Sequence, residues 1–134
     1  MVSRRRVRRL TPTEIAAYAP VCRRAHAARA VLVRVPVLPR GASGMTIGRF
    51  VLLRRHEPAD GTSSLVAHEL VHVRQYAEIG YLRFTARYLW DYAVQLGRLR
   101  HHDRAYRAIG FEAQAYAEQA AWVARREALS AGRG

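Results

Sequence analysis

One cysteine, Cys22, among 134 residues excludes an internal disulfide and a cysteine-based zinc knuckle. Cys22 itself reads as a small core residue. No apolar run approaches the roughly 20 residues that span a bilayer. Lysine is absent. All 23 basic residues are arginine, and only 10 acidic residues oppose them, for a formal charge of +13. That shortage of acid leaves a strong positive field. Such a field attracts phosphates, acidic proteins or anionic lipid, without saying which. Arginine in place of lysine beside 23 alanines also fits a coding bias. Half of the residues are hydrophobic and a quarter are charged, which fits one globular domain with a real core.

The basic start, Ser3-Arg4-Arg5-Arg6-Val7-Arg8-Arg9, has the charge of an export signal but not its apolar segment. Glu14 and then Arg23 and Arg24 interrupt the stretch that follows. The expectation is a cytoplasmic protein, or one exported without a recognisable signal. Residues 1–10 read as a basic flexible tail, 11–130 as a single domain and 131–134 as a disordered end.

The order of elements predicts an α+β fold: an N-terminal helix, a small antiparallel sheet of two strands or slightly more, then a bundle of about three helices. Thr11-Pro12-Thr13-Glu14 is a helix start, with Thr11 as cap, Pro12 at the first position and Glu14 three residues on. That helix runs to about residue 28 with a break near Pro20. Residues 31–35 read as a strand ended by Pro36 and Pro39. Gly41 to Gly44 make a turn, and residues 45–54 a second strand. Gly48 inside it would weaken pairing or let another backbone come close. After the Asp60-Gly61 turn, residues 62–80 form a helix with Val66, Leu70, Val73 and Ala77 as one buried stripe. Residues 81–96 form another, stopped at Gly97. Residues 98–110 are a basic connection and 111–129 a final alanine-rich helix.

The central helix carries His68-Glu69-Leu70-Val71-His72. Residues four apart share a helix face, about 6 Å from each other along the axis. Two imidazoles so placed can converge on one zinc ion at about 2.0–2.1 Å each. Glu69 is turned about 100° from His68. It is too far round to ligate but well placed to take a proton from water beside the metal. The alternative is a hydrogen-bonded pair of core histidines. Burying two histidines and a glutamate with no partner, however, is costly.

With this motif the chain resembles the zincin metallopeptidases, over roughly residues 31–122. It also resembles short bacterial zincin-like domains that stand alone or attach to larger secreted or toxin-related proteins. The resemblance implies His68 and His72 as zinc ligands and Glu69 as general base, with residues 45–53 as the edge strand along which a peptide is laid. The metzincin extension needs Gly at 75 and His at 78. Gln75 and Glu78 stand there, so that branch is excluded, and a continuing helix carries Glu78 well round the cylinder. A catalytic zinc usually has three protein ligands. The candidates for the third are Glu112, His101, His102 and Asp103. Glu112 is favoured: Phe111-Glu112-Ala113-Gln114-Ala115-Tyr116 looks like the second helix of the gluzincins, where a small residue such as Ala115 follows the ligand. The alternative reading of Glu112 is a first-turn acid favouring the helix dipole.

The implied activity is zinc-dependent hydrolysis of peptide bonds in a peptide or protein substrate. Tyr106 and Tyr116 are candidate oxyanion donors, although plain core or surface tyrosine is the simpler reading of both. Gly48 is a candidate substrate contact. Tyr81, Phe84, Tyr88 and Tyr92 form a helical stripe expected to face the core; a wall for apolar substrate side chains or a helix resting on a membrane are sharper readings. Arg54, Arg55, Arg98, Arg100, Arg104 and Arg107 could trace a phosphate-binding surface, and the arginine-rich surface as a whole could meet an acidic or polyanionic partner. Two alternatives to the peptidase stand: a non-catalytic basic module binding nucleic acid or an anionic membrane surface, and a zincin-like fold that binds metal without catalysis.

Overall fold

The computed structural model describes residues 6–39, 42–99 and 109–132. Its elements, in order, are β1 (Val7–Arg9), α1 (Pro12–Ala17), α2 (Arg24–Ala27), β2 (Val31–Arg34), β3 (Gly44–Ile47), β4 (Phe50–Leu53), α3 (Ser64–Ile79), α4 (Tyr81–Leu99) and α5 (Gly110–Ala131). The class is α+β, with a small sheet followed by a helical bundle.

The sheet has four strands in the order β1-β2-β4-β3 and is mixed rather than antiparallel. β1 and β3 pair antiparallel with their neighbours, but β2 and β4 are parallel, with Leu32 opposite Val51. Two departures from the expected elements produce this. Residues 45–54 are a hairpin, not one strand, because Gly48 adopts a φ of +63° that carries the chain through a turn. Of the two hairpin strands β3 is therefore an edge, as β1 is at the far side, and β4 is interior. Residues 7–9, expected in the flexible tail, form β1. The cause is Glu14. Its side chain is fully buried and caps α1 reciprocally with Thr11. A buried carboxylate needs a cation, and Arg8 provides it through a bidentate pair at 2.6 and 3.1 Å, which draws β1 onto the sheet.

The N-terminal helix splits at Pro20 into α1 and α2. Ser63 caps α3, its hydroxyl accepting from Val66 N at 3.1 Å. Val66, Leu70 and Val73 are buried as the periodicity requires, whereas Ala77 lies in the exposed last turn. α3 crosses the sheet beside β3 and β4, and α5 packs on α3. Trp122 of α5 packs against the Tyr18 ring, centroids 5.3 Å apart, and donates to the Ala17 carbonyl. Arg74 of α3 grips Glu118 of α5 through two hydrogen bonds of 2.6 and 2.5 Å. These contacts set α5 in register against α3, and that register positions the site.

α4 departs from expectation. It runs through Gly97 to Leu99. Of the expected aromatic stripe, Phe84 is buried, Tyr88 and Tyr92 are half-buried and Tyr81 is exposed. Leu82 (80 %), Leu89 and Trp90 (70 %) face away from the body. At the other end, α5 extends through Ala131, the first residue of the expected disordered end; residues 133 and 134 lie outside the described residues.

Candidate metal centre

His68 and His72 project from one face of α3, their rings 5.1 Å apart and nearly perpendicular. Glu112, in the first turn of α5, reaches between them. Its Oε2 lies 3.2 Å from His68 Nε2 and its Oε1 2.8 Å from His72 Nε2. One ligand atom from each of the three lies within 4.8 Å of the others. All three residues, and Glu69 beside them, are 3–5 % exposed.

The donor set fits a metal ion on an independent observation. Despite its closeness to Glu112, His72 Nε2 makes no hydrogen bond, and among the described residues it is the one buried side-chain polar atom so left. A buried nitrogen without a hydrogen-bond partner is costly, and a cation shared with Glu112 and His68 would satisfy it. The opposite ring nitrogens are already engaged. His68 Nδ1 meets Gln119 Oε1 at 3.1 Å, and His72 Nδ1 meets Gln75 Oε1 at 2.8 Å. An amide oxygen only accepts. Each Nδ1 therefore carries the hydrogen in the neutral ring, which would leave both Nε2 lone pairs for an ion shared with Glu112; without one, His68 Nε2 donates to Glu112 Oε2 at 3.2 Å. Gln75 is itself fixed by donating to Gln114 Oε1 and the Phe111 carbonyl of α5.

The electrostatics follow from burial and proximity. Burial works against an ionised Glu112, but the two imidazoles outweigh it and hold the carboxyl at about 2. Burial likewise opposes charge on His72, and the adjacent Glu112 carboxylate overcomes it, raising the pKa. For Glu69 burial prevails over His72, Thr46 and His68, and the pKa is raised.

Glu69 is separately held. Thr46 Oγ1 on β3 donates to Glu69 Oε2 at 2.7 Å and also lies 3.1 Å from the Glu69 carbonyl. β3 comes this close because Gly44 has no side chain: a Cβ there would stand 3.2 Å from Glu69 Oε1. The close-approach glycine is thus Gly44, not Gly48, which turns the hairpin. Tyr116 (39 % exposed) packs against His68, ring centroids 4.6 Å apart and planes inclined at 59°. Against His72 sits an aromatic cluster centred on Phe84, which meets Tyr76 at 3.8 Å, Phe111 at 4.4 Å and His72 at 6.2 Å.

The structure therefore brings together His68, His72, Glu112, Glu69 and Tyr116 from the sequence-derived candidates. Glu78 lies outside the cluster and pairs with Arg74 at 3.5 Å. His101, His102, Asp103 and Tyr106, together with Arg100, Arg104 and Arg107, lie outside the described residues. The sequence reading did not find Thr46, Gln75 or Gln119. Two of these had a signal: Gln75 stands three residues after His72 and Gln119 seven after Glu112, each on its ligand's helix face.

Residues 38–80 match the family model of the eCIS core domain, a domain associated with extracellular contractile injection systems. The match covers the hairpin and α3 with its His-Glu-Leu-Val-His motif, about a third of the chain, and stops before α4 and Glu112. No curated protein and no solved structure matches the chain significantly. No helix among the described residues is long and apolar enough to cross a membrane.

Proposed function

We propose that the protein is a zinc-dependent, metallopeptidase-like hydrolase of the gluzincin type, acting on peptide bonds. The observation that carries the reading is the arrival of Glu112, from a separate helix, between the two motif histidines, with Glu69 alongside but not among them. His68, His72 and Glu112 would hold the ion. Bound there, zinc would supply Lewis acidity towards water and the scissile carbonyl.

The chain's own residues do the rest. Gln75 and Gln119 keep both ring Nε2 atoms turned inward. Thr46 orients Glu69, and burial lifts its pKa towards the range useful to a general base. Glu69 accepts the proton of the attacking water and passes it to the leaving amine. Tyr116, against His68 and half open to solvent, is the nearest candidate to bind the substrate carbonyl oxygen. A peptide would lie along β3, the exposed edge, where strand addition is available. The eCIS core match adds the setting we propose for this activity, that of an extracellular contractile injection system.

The test is hydrolysis of a mixed peptide library by zinc-loaded wild type and by Glu69→Gln. Cleavage by the wild type that drops at least a hundredfold in the variant supports the reading, and equal rates reject it. One observation favours a second reading, metal binding without catalysis. The four side chains are almost sealed from solvent, so a substrate must first displace Tyr116 or part β3 from α3. Full zinc occupancy with no cleavage of any peptide would select it.

A further inference from the structure

Three arginine-bearing stretches, distant in sequence, meet at one end of the sheet. β1 runs antiparallel to β2, and β2 runs parallel to β4. The start of β1 and the ends of β2 and β4 therefore lie together. Arg6 precedes β1, and its carbonyl accepts from Arg34 N at 2.7 Å. Arg34 closes β2 opposite Leu53, the last residue of β4. Arg55 and His56 follow one residue further on, after Arg54. Arg6, Arg34, Arg55, His56 and Arg8 line a cleft floored by Leu32 and Leu53.

The charges there are unbalanced. Arg8 is matched by Glu14. Glu57, the one carboxylate among the described residues lining the cleft, accepts from Ser63 Oγ at 2.6 Å. Arg6, Arg34 and Arg55 are exposed and form no ion pair with a described acid. Three guanidinium groups and an imidazole thus face one carboxylate above an apolar floor. Guanidinium forks match pairs of oxygens on a tetrahedral oxyanion, and gathering like charges is favourable only where an anion or water screens them. The geometry points to a phosphate-binding site in this cleft, formed by none of the metal-cluster residues. Its ligand is a phosphate group bearing more than one negative charge, held by Arg6, Arg34 and Arg55 with His56 at the side.

Calorimetric titration with inorganic pyrophosphate tests this. The wild type is expected to bind one equivalent saturably, and Arg34→Ala/Arg55→Ala to bind at least tenfold more weakly. Arg83→Ala/Arg125→Ala removes the same charge from α4 and α5 and should weaken binding less than about threefold. Arg34→Lys/Arg55→Lys keeps the charge but not the fork, and should fall between. All the substituted side chains are exposed, so melting temperatures should hold, and the control pair checks this. Equal weakening in both alanine pairs would reduce the effect to overall charge and overturn the proposal, as would absence of saturable binding. A short 5′-phosphorylated oligodeoxynucleotide and phosphatidic acid vesicles, both carrying phosphate monoesters, titrated in parallel, identify the source of the phosphate. Binding of either that is lost in the Arg34/Arg55 pair but kept in the control names it, and loss confined to pyrophosphate names a soluble phosphate compound.

Discussion

Replacing Glu112 with glutamine in the metal-free protein separates a shared site from three residues that merely pack together. Burial pushes the Glu112 carboxyl up, yet His68 and His72 bring it from an ordinary 4.5 to about 2. At about 1.4 kcal/mol per pH unit, that drop is worth about 3 kcal/mol in favour of the ionised form in the fold. A depressed carboxyl contributes its stability above its unfolded value, near 4.5, and loses it as the pH falls towards 2. His72 is raised from 6.5. Its contribution is complete below that unfolded value and is lost as the pH rises through the folded one. Both contributions coexist between about pH 4.5 and 6.5. Urea unfolding near pH 5.5 with a chelator should place Glu112→Gln about 3 kcal/mol below the wild type. The gap should close towards pH 2, where the wild-type carboxylate is itself protonated. A gap under about 0.5 kcal/mol that ignores pH would refute the claim that this carboxylate is held by the two histidines. With zinc at roughly 100 times its dissociation constant, the wild type should gain about 2.7 kcal/mol, and the variant far less.

Gln75→Ala and Gln119→Ala each free one imidazole to rotate or change tautomer; a chelator competition assay should show zinc affinity lowered about 10–100-fold, and unchanged affinity would deny them an orienting role. Gly44→Val forces a branched side chain against Glu69 Oε1, so peptide cleavage should fall at least tenfold while zinc content holds; loss of both together would mean that β3 had simply come apart. Burial pushes the Cys22 thiol up to about 12. It should resist a disulfide reagent at pH 8 in the folded protein and react with one equivalent on unfolding, whereas fast reaction in the native state would contradict its placement in the core.

The α+β order and the heart of the site were legible because each rests on a local rule. A four-residue spacing puts two histidines on one face, and a glutamate opening an alanine-rich helix suits a close approach. What escaped depends on contacts between distant residues. The Arg8–Glu14 pair makes a strand of what composition alone reads as tail. Gly48 looks the same in sequence whether it interrupts a strand or turns a hairpin, and the parallel pairing of β2 with β4 follows only once the turn is known. α4 carries two apolar stripes, one through Phe84 and Tyr88 and one through Leu82 and Leu89, and periodicity cannot say which faces inward. Gln75 and Gln119 resemble surface residues until their partners across α3 and α5 are in view.

The most direct measurement is anomalous diffraction at the zinc edge from crystals soaked in zinc. The account predicts one strong peak about 2.0–2.2 Å from His68 Nε2, His72 Nε2 and a Glu112 carboxylate oxygen, with Glu69 outside that shell. No peak between the histidines, or a peak there with the Glu112 side chain turned away into solvent, would contradict it.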